Sequence, residues 1–134
     1  MTSASRFSIA VRVYWEDTDA GGIVFYANHL KFFERARTEW LRSLGFEQER
    51  MRREASTLFV VADTAVRFHR PARLDDLLDV DVAIVEAGRA SLRLAQQARR
   101  GGELLSEATI RLGCVDLQTM RPVRIPDTIL EAIS

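Results

Sequence analysis

Cysteine is almost missing from this chain. Cys114 is the only one in 134 residues, which excludes an intrachain disulfide and leaves no CxxC pair or Cys/His cluster at metal spacing. Packing as a small buried hydrophobe is the expected role of a lone thiol. Net charge is also absent, with 19 basic residues against 19 acidic ones, so neither a nucleic-acid surface nor an anionic membrane is favoured as a partner. Lys31 is the only lysine; the remaining cations are arginines, which suit bidentate phosphate contacts. No apolar run approaches the length of a membrane span. The opening MTSASRFSIAVRV has no hydrophobic segment of signal-peptide length, so a cytoplasmic protein is expected. No G-x-S-x-G elbow and no glycine-rich phosphate loop occur. Length and a hydrophobic content of 47% fit one domain over residues 1–134 with a single core.

What the chain does have is concentrated between Glu16 and Gly45, EDTDAGGIVFYANHLKFFERARTEWLRSLG. A loop with Asp17 and Asp19 leads through Gly21 and Gly22 into the longest helical pattern. Leu30, Phe33, Ala36, Trp40, Leu41 and Leu44 recur at three- and four-residue spacing, predicting a helix with one apolar stripe. Gly45 stands where a left-handed C′ residue ends a helix, and Asn28 is a candidate cap at its start.

Around this stretch the pattern is β. Phe7 to Trp15 alternates, placing Ile9, Val11, Val13 and Trp15 on one side. Phe46 to Ser56 reads as an irregular or short helical connector. Leu58 to His69 is β-branched and reads as a central strand ending before Pro71. Leu77 to Glu86, Ser91 to Arg99 and Leu104 to Val115 supply further strands, the last two joined by Gly101-Gly102 as a tight hairpin turn. A last helical turn runs from Asp127 to Ile133. The order implies an α+β fold, a five-stranded antiparallel sheet whose apolar face is covered by one long helix. Such a sheet leaves free edges, and edge-to-edge pairing of two copies removes one of them, so a homo-oligomer is expected.

The loop allows three readings. A calcium loop starting at Asp17 requires Asp or Asn at position 21 and Glu at position 28, where the chain has Gly21 and Asn28, so no metal is expected. A plain turn accounts for short polar side chains and glycines. A chemical reading gives one carboxylate the role of nucleophile or general base against a carbonyl held by unpaired N–H groups at the helix start, with Ile23, Val24 and Phe25 excluding water. His29 and His69 are isolated, and a lone histidine is more often structural than catalytic.

The stretch VYWEDTDAGGIVFYANHLKFFERARTEWLRSLGF, with RFHRPARLDDLLDV and the strand order, closely resembles the hotdog-fold acyl-CoA thioesterases of the 4-hydroxybenzoyl-CoA thioesterase family. It resembles in particular their bacterial Tol-Pal-associated branch. The resemblance covers nearly the whole chain. It implies a sheet wrapped around a long helix, dimers with a continuous sheet often paired into homotetramers, and hydrolysis of a small acyl-CoA without a cofactor. It places the catalytic carboxylate on Asp19, the oxyanion-holding N–H on Tyr26 and the loop glycine on Gly22, with Ile23 beside the substrate. Arg67 and Arg70, and also Arg73, Arg89 and Arg99, are candidates for the CoA phosphates. The chain departs from the Tol-Pal-associated relatives in carrying tyrosine at Tyr26 in place of histidine and His29 in place of an aromatic. That departure motivates a second reading, a non-catalytic scaffold binding acyl-CoA or an acyl carrier protein beside the Tol-Pal system; a third, a hotdog dehydratase, requires a histidine paired across the pocket with the acid.

Overall fold

The computed structural model describes residues 6–133. The opening five residues, part of the segment read for a signal peptide, and Ser134 lie outside the described residues. In chain order the elements are β1 (Phe7–Arg12), a 3-10 turn (Trp15–Asp17), α1 (Asn28–Ser43), α2 (Gln48–Ala55), β2 (Thr57–Phe68), β3 (Leu77–Ala87), β4 (Ser91–Arg100), β5 (Glu103–Asp116) and α3 (Asp127–Ile133). The five strands form one antiparallel sheet in the order β1-β3-β4-β5-β2, and α1 packs mainly on β3 and β1. This is the α+β, hotdog arrangement expected.

The first strand ends at Arg12, short of the expected Trp15. The Asp17 carboxylate accepts the Tyr14 N–H at 2.9 Å and closes a 3-10 turn, which swings Trp15 out to 78% exposure. The strand over Leu58–His69, expected at the centre, is instead the sheet edge. It pairs with β5 on one side alone, and residues 61–65 are exposed. β-branched content reports strand propensity and is silent on neighbours.

Helix α1 buries His29, Phe32, Phe33, Ala36, Arg37, Trp40 and Leu41. The stripe is therefore rotated from the expected one: Leu30 faces solvent and Leu44 is half-buried. Burying a Phe or Leu contributes about 1.5–3 kcal/mol, so the orientation that seals Phe32 and Phe33 completely outweighs the exposure of Leu30. At the C-terminus Gly45, at φ 92°, completes a Schellman motif, its N–H donating to the Arg42 carbonyl and that of Phe46 to Leu41. At the N-terminus Ala27 occupies the cap position, and Asn28, expected as the cap, turns its side chain to Asp17 instead.

The core face of the sheet carries Leu78, Val80 and Val82 from β3, Leu92, Leu94 and Ala98 from β4, and Ala108, Ile110, Leu112 and Cys114 from β5. Two fully buried polar residues interrupt it, Gln96 on β4 and Ser106 on β5. Gln96 is fully buried, donates through Nε2 to the Phe33 and Asp81 carbonyls at 3.0 and 3.1 Å, and accepts from Arg37 at 3.0 Å. Asp81 in turn accepts the Gln97 N–H at 2.6 Å and pairs with Arg6. The β3–β4 register skips Asp81 and Val82, so these side chains supply the bonds that the ladder lacks there.

Candidate active site

The segment from Thr18 to Val24 folds on itself as a miniature hairpin. Thr18 bridges Val24, the Asp19 N–H donates to the Ile23 carbonyl at 2.9 Å, and the Gly22 N–H returns to the Asp19 carbonyl at 3.1 Å. Asp19 suits the first position of this turn because its Oδ1 accepts the Gly21 N–H at 2.9 Å. Gly22 takes φ 81°, the left-handed bulge position that closes a three-residue hairpin loop. A Cβ added at Gly22 meets nothing within 4 Å, so Gly22→Ala is expected to cost only the backbone strain, about 1 kcal/mol. Urea unfolding measures it; an unchanged midpoint would contradict the strain.

The two aspartates do different work. Asp17 uses both carboxylate oxygens on the scaffold, Oδ2 for the Tyr14 N–H and Oδ1 for the Asn28 amide at 2.8 Å, and its carbonyl accepts the Phe25 N–H at 3.0 Å. It ties the 3-10 turn to the start of α1. Asp19 is exposed, and its Oδ2 has no hydrogen-bond partner among the described residues. Only Asp19 therefore has an oxygen free for chemistry.

At the start of α1 the Phe25, Asn28 and His29 N–H groups donate to Asp17, Phe25 and Tyr26 carbonyls. The Tyr26 and Ala27 N–H groups have no acceptor among the described residues, as expected for the first turn of a helix, where the dipole adds positive potential. Tyr26 lines a groove of about 270 Å³ walled also by Ile23, Val24 and Phe68 and reaching His69, Arg70 and Pro71 at its rim, and Ala27 follows it in the chain. The Tyr26 ring meets Phe68 edge-on with centroids 6.1 Å apart. Val24 is fixed there by an N–H bond to the Ala72 carbonyl at 2.8 Å.

Of the residues singled out in the sequence, Ile23, Tyr26 and Arg70 line this groove and Gly22 adjoins it. Asp19 belongs to the same loop, though its side chain is not part of the groove wall in the single chain. Arg70 is paired with Glu103 at 3.1 Å. Arg67 is placed elsewhere: it lines a separate depression of about 350 Å³ on the sheet, with Arg6, Ala65, Ala95 and Gln97. Alternation along β2 puts Arg67 and Phe68 on opposite faces, which sequence spacing alone does show.

His29 was read as an isolated histidine, and the structure changes that. It is buried at 3% exposure, its Nδ1 lies 2.8 Å from the Ser106 Oγ, and its ring meets Phe68 edge-on at 5.1 Å. Ser106, on β5, was not singled out, and a contact across 77 residues leaves no local signal. Burial pushes the His29 imidazole below its usual pKa of 6.5. As pH falls through 6.5 the unfolded chain takes up this proton before the folded one, so the stability present above 6.5 is lost progressively. The urea midpoint of the wild type is expected to drop from pH 7.5 to pH 5.5 by more than that of His29→Phe; equal drops would contradict a buried neutral ring.

A family model described as the thioesterase-like superfamily matches residues 13–133. The chain is similar to acyl-CoA thioesterase YbgC of Haemophilus influenzae, 46% identical with 94% of this chain and 93% of that protein covered. Similarity to acyl-CoA thioester hydrolase YbgC of Escherichia coli O157:H7 is 42%, with 96% of each covered. Among solved structures, a probable thioesterase from Bartonella henselae superposes with a TM-score of 0.87 at 31% identity, over 90% of this chain and 99% of that one. With this match over nearly its whole length and the sheet-and-helix architecture described above, the chain belongs to the thioesterase-like superfamily and adopts the hotdog fold.

Proposed function

We propose that this chain is an acyl-CoA thioester hydrolase, cleaving a small acyl-CoA to the free acid and CoA. The single observation that carries the reading is the unpaired N–H of Tyr26, at the positive end of α1 and in a residue that lines an apolar groove. A thioester carbonyl docked there has its oxygen polarised by a donor that needs no reorganisation as negative charge develops. The names of the YbgC relatives at 42–46% identity support the same activity.

Asp19 is the acid in this reading. Its turn fixes the carboxylate through Oδ1 and leaves Oδ2 to attack the carbonyl carbon or to deprotonate a water that does so. Tyr26 contributes its backbone amide, so tyrosine in place of histidine leaves the oxyanion donor intact. Gly22 and Ile23 shape the approach, and Arg70 at the rim is the cation for a CoA phosphate, while Arg67 faces the separate depression on the sheet. We place the enzyme in the cytoplasm as a homo-oligomer, a dimer or tetramer. The β2 edge is free to pair with a second copy, and in this reading the site is completed between subunits by strands of the other chain.

A panel of short, long and aromatic acyl-CoA substrates with free-thiol detection tests this. Thiol release from at least one short or aromatic substrate is the expected result. Saturable binding without release across the panel would overturn hydrolysis in favour of an acyl-binding scaffold.

A further inference from the structure

The floor of the groove holds a polar atom that the reaction above does not use. His29 reaches it from α1, and its Nδ1 is taken up by Ser106. Ser106 is fully buried, and its hydroxyl has His29 as its side-chain partner. If Nδ1 carried the hydrogen, the Ser106 O–H would be left without an acceptor in a site sealed from water. If Ser106 donates instead, both groups are satisfied and the imidazole hydrogen resides on Nε2. Nε2 has no partner among the described residues. It is also not sealed, since Thr57 Oγ1 is the one buried side-chain polar atom among them left unpaired. The ring thus presents a fixed N–H donor to the groove, surrounded by Ile23, Val24, Tyr26 and Phe68.

We infer that His29 is a specificity-determining residue whose Nε2–H donates to an oxygen substituent on the acyl group, with Ser106 as the positioning residue that holds the tautomer. This rests on the acyl-CoA hydrolase reading. In that reading the thioester oxygen already has the Tyr26 backbone donor, so a further donor deeper in an apolar groove is matched to the acyl portion. An acyl group without an acceptor leaves this N–H desolvated and unpaired, which lowers its transition-state binding relative to a hydroxylated or oxo analogue of the same shape. The preferred substrates are therefore oxygen-bearing acyl-CoA thioesters, above plain alkyl or aryl ones.

The test uses two pairs of substrates differing by one oxygen: 3-hydroxybutyryl-CoA against butyryl-CoA, and 4-hydroxyphenylacetyl-CoA against phenylacetyl-CoA. The wild type is expected to favour the hydroxylated member of at least one pair by about 10- to 100-fold in kcat/KM. His29→Phe, which keeps the ring and removes the donor, is expected to bring that ratio within about threefold of one, whatever it does to the absolute rates. Ser106→Ala, which deletes only a hydroxyl, reduces the ratio in the same direction and covers the case in which His29→Phe does not fold. A merely structural serine would lower both members equally. Wild-type ratios near one in both pairs, or a ratio unchanged in the folded variants, overturn the assignment. If no substrate is hydrolysed, the hydrolase reading fails on its own, and Kd ratios for the same pairs from calorimetry decide the assignment by the same criteria.

Discussion

Asp19→Asn is expected to lower kcat for acyl-CoA hydrolysis by about 10²- to 10⁴-fold, the usual worth of a positioned acid or base, with the unfolding midpoint unchanged. The amide is nearly isosteric and its oxygen can still accept the Gly21 N–H, so the turn survives. What disappears is the second oxygen as a base or nucleophile. The companion substitution Asp17→Asn is expected to act the other way. Both Asp17 oxygens accept from donors, Tyr14 N–H and the Asn28 amide, and an amide at this position sets a donor against one of them. That change should remove about 1–3 kcal/mol of stability while leaving the chemistry to Asp19. Activity of Asp19→Asn within threefold of wild type would remove Asp19 from the role; purified variants assayed at saturating substrate, alongside urea unfolding, separate the two effects.

Gln96→Leu is expected to destabilise the fold by about 3–5 kcal/mol. Leucine matches the volume and fits a core position between Leu94 and Ala98, so transfer energetics alone would favour it. Against that, Gln96 hydrogen-bonds α1 to the sheet at two points, the Phe33 carbonyl and the Arg37 side chain. Removing it strips the donor from the Phe33 and Asp81 carbonyls and the acceptor from Arg37, a residue buried at 8% exposure. Burial already pushes the Arg37 pKa down, opposed by Glu34, yet arginine does not shed its proton to escape. The desolvated charge therefore stays and loses a partner, and this outweighs the gain from an apolar side chain. Gln96→Glu separates the parts: it keeps an acceptor for Arg37 but loses the donor to both carbonyls. Denaturant midpoints at constant m measure the series, and a loss below about 1 kcal/mol for Gln96→Leu would show that the network contributes little.

The local geometry of the candidate site was legible in the sequence because its signals are local. The bond from Asp19 to the Gly21 amide, the positive φ of Gly22 and the Schellman glycine at Gly45 are each decided within a few residues, where side-chain chemistry and steric limits on φ act directly. Gly101-Gly102 likewise turns β4 into β5, with Gly101 at φ 62°. The helix was visible as a period, though its rotation was not. A shift of one position separates a stripe through Leu30 from one through Phe32 and His29, and only the packing of α1 on β3 and β1 selects between them.

Sequence by itself determined that this chain has one long helix, strands with alternating faces, an acid-bearing turn feeding the helix start, and a likeness to hotdog thioesterases. Tertiary structure alone decided that β2 is an edge, that Asp17 is scaffold while Asp19 keeps a free oxygen, and that His29 meets Ser106 and Arg37 meets Gln96. The physical reason is range. Turns and caps are fixed by neighbours a few bonds apart, whereas strand order, burial of a histidine and the partner of a buried charge depend on contacts across 59 to 77 residues, which no local period encodes.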